Sequence, residues 1–191
     1  MSWNTTFLVQ RTRSGLGKAH YFAGLGLPGA KEIGIVSFDD AGSSGLPGKA
    51  LAVVGDWTIV IDPFMFMEVA NHPTFKGSSL LPIVVESRLL SSTERWPAYA
   101  FVAFGASATF GFAAYEERER TRLILRQEGE TIYDEGKAVL AGDVWTHEED
   151  EEQLVLGLIP EVTGISFEEL EKTQFRLFEF DAKHIAFVHA D

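Results

Sequence analysis

WPAYAFVAFGASATFGFAAY, residues 96–115, runs for twenty positions without a charge and ends against Glu116 and Glu117. A run of this kind has to be buried, either in lipid or inside a protein core. Its length would suit a membrane helix, but its composition would not. It holds no Leu or Ile, one Val and seven Ala, with Ser107 and Thr109 near its centre. Residues 98–104 are aromatic and strand-like, residues 105–108 (GASA) suit a turn, and residues 109–115 read as a returning strand. The run therefore predicts a buried β-hairpin at the centre of the core.

Other strand-like runs lie at 7–11, 33–38, 51–54, 58–61, 83–86, 122–126 and 185–189, separated by turn signals such as Pro28-Gly29, Pro47-Gly48, Gly55-Asp56 and Glu128-Gly129. Helix signals gather late. Thr146 and Glu149 form a capping box ahead of the apolar residues 154–159 and Pro160, and Ser166 and Glu169 open a second helix through about Thr173. A further helix is expected from Asp62-Pro63, with Phe64, Met67, Glu68 and Asn71 on nearby faces. Strands and helices are not regularly interleaved. The expected fold is α+β, a mostly antiparallel sheet with a few short helices chiefly in the C-terminal third, in a single domain over residues 1–191. Residues 143–150 are the best place for a boundary if there is one. GLPG occurs at 26–29 and again at 45–48, too short a unit to be a repeat.

Several motifs resemble chemical sites and fail on context. GLGLPG, residues 24–29, spells the dinucleotide fingerprint, which needs a strand before it and a helix after it. Here GKAHYFA precedes it and the strand-like KEIGIV follows, while Pro28 removes a backbone donor. SSGLPGKA, residues 43–50, lacks the first glycine and the hydroxyl of a P-loop. His147-Glu148 begins a zinc-hydrolase motif, but Glu151 stands where the second His belongs, and helix capping explains the same residues. G-x-S-x-G and S-x-x-K do not occur. The carboxylate pairs Asp39-Asp40, Glu116-Glu117 and Asp134-Glu135 suit turns and solvated edges better than acid–base work. No cofactor and no metal are expected. The chain has no Cys, and its N-terminus shows no basic segment leading into an apolar one, so a reducing, cytoplasmic location is expected.

The net charge of −12 is unevenly placed. Residues 1–115 carry eight acids and eight Lys or Arg, whereas residues 116–191 carry 20 acids and eight bases. That field disfavours nucleic acid and anionic membranes and suits a basic protein partner, although acidity also serves solubility. The residues proposed to meet such a partner are Asp56, Trp57, Asp62, Tyr115, Glu116, Asp134 and Glu135. They sit at expected strand ends and turns, where Trp57 and Tyr115 would offer flat apolar area beside carboxylates. The competing reading packs Trp57 in the core and leaves the acids to cap turns.

Residues 110–140, with Tyr115-Glu116, Glu128-Gly129 and Asp134-Glu135-Gly136, resemble a pattern in small acidic bacterial proteins of uncharacterised families. Residues 55–57 look like the earlier Gly-Trp motif of those proteins, with Asp56 inserted. The resemblance covers under half of the chain and brings no activity with it. It implies a bacterial, soluble α+β protein. Taken together, these features favour a non-catalytic interaction module of the immunity, inhibitor or adaptor type. A small hydrolase or transferase with residues at strand ends, or a small-ligand binding module, are the alternatives. The oligomeric state is left open.

Overall fold

A computed structural model describes residues 3–12, 18–43, 48–63, 65, 79–138, 140 and 150–180. Among these residues, nine strands form one sheet: β1 (Asn4–Arg11), β2 (Lys31–Val36), β3 (Lys49–Val54), β4 (Trp57–Asp62), β5 (Ala98–Phe104), β6 (Thr109–Glu116), β7 (Glu119–Gln127), β8 (Glu130–Gly136) and β9 (Phe175–Glu179). Their order is β2-β9-β3-β4-β1-β5-β6-β7-β8, and every neighbouring pair is antiparallel. Five helices accompany them: α1 (Lys18–Gly24), α2 (Phe38–Ala41), α3 (Ile83–Ser92), α4 (Glu151–Thr163) and α5 (Phe167–Lys172).

Helices cover the sheet on both sides. On the front, Phe7, Val9, Ile59, Ile61, Phe101 and Phe112 pack with residues of α2, α4 and α5. On the back, Leu8, Leu51, Val60, Ala100, Val102 and Leu123 pack with residues of α1 and α3. Two-sided burial explains why the central strands read as continuous apolar runs rather than alternating ones. It also explains the small residues of the β5–β6 hairpin, which let the covering elements approach closely. A Cβ at Gly111 would stand 2.9 Å from Leu80 Cδ2. The hairpin is the core centre that its sequence predicts, with all seven β5 residues buried, and its turn is a single 3₁₀ turn closed by Ala108 at φ 43°. No helix among the described residues is long and apolar enough to cross a membrane.

The antiparallel α+β expectation holds, but helices are not confined to the C-terminal third: α1, α2 and α3 precede it. The expected strand at 83–86 is instead the first turn of α3. Ile83, Val84 and Val85 favour extended backbone locally, while Val85 and Leu89, one helical turn apart, are the buried pair that sets the helix. Strands β8 and β9 were missed because charged residues interrupt them. The Ser166 capping box forms as expected, whereas α4 is capped by Asp150 and runs through Pro160 to a left-handed Gly164. The Thr146 capping box, the strand at 185–189 and the expected helix residues Phe64, Met67, Glu68 and Asn71 lie outside the described residues.

The first GLPG copy has a structural use, and so has the final glycine of the second. The first joins α1 to β2, so a helix precedes the motif and a strand follows, the reverse of a dinucleotide fold. Gly26 sits at φ 80°, and a Cβ there would come within 2.7 Å of Val84 on α3. In the second copy, a Cβ on Gly48 would strike the Phe178 carbonyl at 2.2 Å.

Candidate functional site

Strand register gathers several of the expected residues at one end of the sheet. Trp57 lies opposite Arg11, Gln10 opposite Ala98, and Ala98 opposite Tyr115, so the β3–β4 turn and the ends of β1, β5 and β6 share one margin. At the front of this margin the half-buried Trp57 ring stands 6.2 Å from Tyr99, and the Tyr99 hydroxyl donates to Glu116 Oε1 at 3.2 Å. Burial, and then the Glu116 charge and that hydrogen bond, push the Tyr99 phenol up to about 12. Asp56 accepts from Arg11 at 3.3 Å, and its side chain is 64% exposed. The Arg11 guanidinium also lies 5.4 Å from the ring centre of Trp96, a cation–π distance. Such an exposed ion pair is worth at most about 1 kcal/mol, so a competing cation can displace it cheaply.

The back of the same margin is built differently. Tyr115 is fully buried and donates to Glu86 Oε1 at 3.1 Å. Arg120 donates to the same oxygen at 2.9 Å and to Glu135 Oε2 at 3.0 Å, while the Ser79 hydroxyl lies 3.0 Å from Glu86 Oε2. Burial raises the Tyr115 phenol well above its ordinary range, Glu86 adds to this, and Arg120 opposes it. For Arg120 itself, burial works against the cation, but Glu86 and Glu135 outweigh it and hold the guanidinium above its ordinary value. This network ties α3 to the sheet.

The seven residues picked from sequence thus separate. Asp56, Trp57 and Glu116 come together on the front margin, with Tyr99, Arg11 and Trp96, which the sequence reading did not pick. Tyr115 faces the back, with its ring inside the core. Glu135 joins it there through Arg120, whereas Asp134 pairs with Arg122. Gly136, at φ 83°, ends β8 under tight constraint: a Cβ would stand 2.0 Å from the Thr121 carbonyl. Asp62 does not join the others at all. It lies at the far end of β4, opposite Thr6 and roughly 17 Å along the strand from Trp57. There it forms a buried ion pair with Lys49, whose ammonium also lies 5.7 Å from the Phe180 ring centre.

Several acids of the C-terminal region have folding tasks. Asp150 caps α4, Glu151 pairs with Arg126 at 2.9 Å, Glu152 accepts from the Trp3 amide at 2.6 Å, and Glu169 completes the α5 capping box. Helix N-termini favour such carboxylates. Glu168 pairs with Lys172 on the exposed side of α5. Among the described residues, no group of three or more His, Asp and Glu is placed to hold a metal ion. No protein-family model matches the chain, and neither curated proteins nor solved structures include a significant match to it.

Proposed function

We propose that the chain is a non-catalytic interaction protein that grips a basic partner at the front margin of its sheet. One observation carries this reading: Trp57, packed against the core but only partly buried, stands beside Tyr99, with Asp56 preceding it in the turn and Glu116 accepting from the Tyr99 hydroxyl. A Lys or Arg side chain laid over Trp57 would gain cation–π attraction and a carboxylate partner together. Its Asp56 contact would replace the weak Arg11 pair, so little has to be given up on binding. The acids that begin α4 stand at the opposite end of the sheet, beside Trp3 and Arg126, so the charge offered at this margin is that of Asp56 and Glu116.

The test is a fluorescence titration of the full chain with a lysine dodecapeptide and a glutamate dodecapeptide. The lysine peptide is expected to bind more tightly, to weaken steeply as salt rises from about 20 to 300 mM, and to shift Trp emission. Asp56→Asn with Glu116→Gln is expected to weaken it by roughly tenfold, which corresponds to losing about 1.4 kcal/mol. Equal binding of both peptides, or no response to that double substitution, would rule the site out.

A further inference from the structure

The two edges of the sheet differ in how they meet solvent. An edge strand presents unpaired backbone groups, and charges or bulges commonly guard it. Strand β8 is guarded: Glu130, Asp134 and Glu135 line it, and its register breaks beside Leu125. Strand β2 is far less so. Among the described strands it pairs only with β9, and its Ile33 and Ile35 are 40% and 58% exposed. Gly34 lies between them, and a Cβ there would meet nothing within 4 Å. A bulge at Ile33 leaves residues from Gly34 onward in regular register with β9.

The charges along this segment show what would cover it. Lys31 begins β2, is 75% exposed and holds a solvent-exposed pair with Glu179 at 3.1 Å that a second carboxylate could share or replace, whereas Asp39 and Asp40 stand just beyond the end of β2 in the first turn of α2. We propose that β2 pairs antiparallel with β2 of a second copy of the chain, about a two-fold axis at Ile35. In that register Ile35 meets the partner's Ile35, Gly34 meets Val36, and Lys31 comes towards the start of the partner's α2, where its long side chain reaches for Asp39. The last contact occurs twice by symmetry, as a self-complementary interface requires. The exposed Ile35 side chains become a cross-strand apolar pair, and the sheet continues across both copies. A basic foreign segment fits this edge less well, because Lys31 and Arg176 already lie along it and Arg176 is paired with Glu32.

Sedimentation equilibrium of the full chain in about 150 mM salt tests the idea. A strand this short buries less than a tight interface does, so association is expected at tens of micromolar rather than nanomolar. The mass should climb from 21.1 kDa towards about twice that as the chain is concentrated to about 500 µM. Ile35→Lys should weaken association at least tenfold without altering far-UV circular dichroism, while Ile132→Lys on β8 should leave it unchanged. Lys31→Asp and Asp39→Lys should each weaken it, and the two combined should restore it to within about threefold. The proposal is overturned by a monomer across the whole range, by an undiminished Ile35→Lys dimer, by an effect of Ile132→Lys equal to that of Ile35→Lys, or by a charge swap that restores nothing.

Discussion

The Lys49–Asp62 pair allows a sharp test of whether Asp62 serves the fold rather than a binding surface. Asp62 is 1% exposed and Lys49 7%, and the surrounding back face is built from Leu51, Val60, Phe178 and Phe180. Lys49→Met removes the cation paired with the buried Asp62 carboxylate, and Asp62→Leu removes the anion paired with the Lys49 ammonium. Removing one member of a buried pair costs about 3–5 kcal/mol, whereas replacing both by apolar groups of similar volume is often close to neutral. With a urea m-value of about 2–3 kcal/mol/M, each single substitution should lower the unfolding midpoint by roughly 1–2.5 M. The combination Lys49→Met with Asp62→Leu should recover most of that loss, giving a coupling energy of about 3 kcal/mol or more in the double-mutant cycle. A midpoint that moves by less than about 0.3 M in both singles would refute the buried-pair argument. Simple additivity in the double would refute it equally, because each side chain would then be acting alone.

Tyr99 is expected to titrate late. Its phenol is pushed up to about 12 by burial first and Glu116 second. Because the folded value lies above the unfolded one, the stability it contributes is intact below about pH 10 and is lost as pH rises through about 12. Absorbance at 295 nm, with Tyr99→Phe as the reference, should place the Tyr99 step there. Glu116→Gln should move the step down without returning it to the ordinary tyrosine value, since burial persists. In the β6–β7 turn, Glu117 and Arg118 hold φ 50° and 67° without glycine, so Arg118→Gly should stabilise the chain by about 0.5–1 kcal/mol in urea unfolding, despite losing the exposed Glu94 pair. Gly136→Ala should do the opposite by well over 1 kcal/mol, because its Cβ meets the Thr121 carbonyl; amide exchange should show β8 opening first. Tyr115→Phe should cost about 1–2 kcal/mol by thermal unfolding, since Glu86 loses one donor but keeps Arg120.

The parts of the fold that were legible in sequence are those fixed by local pattern. The β5–β6 hairpin announces itself through apolar continuity and a small-residue turn, and α5 through Ser166 and Glu169, which make the capping box observed. What was not legible depends on distant partners. Strand β9 has one short alternation, Phe175-Arg176-Leu177, and becomes an inner strand only because β2 and β3 flank it. Residues 83–86 favour extended backbone locally, yet the helical spacing of Val85 and Leu89 against the back face decides their form. The site is similar. Trp57 and Glu116 could be placed at strand ends from their turns, but Tyr99 was hidden inside an apolar strand. Its alternation with Phe101, both on the front face, was the available signal.

The same distinction bears on the charge asymmetry, which was the most visible feature after the hairpin. Carboxylates at helix starts and beside buried arginines are required by the backbone and by charges that must be neutralised in place. Asp150, Glu151, Glu152 and Glu169 belong to that class, so the acidity of the C-terminal region is in part a consequence of how α4 and α5 begin. Asp56 differs from them. It caps no helix, its carboxylate pairs with the exposed Arg11, and an aromatic side chain follows it directly. Among the described residues, the Glu116 carboxylate accepts from a phenol rather than a cation. If a basic partner binds, the acids that decide where it docks are these two, because the capping acids stand at the other end of the sheet, beside Trp3 and Arg126.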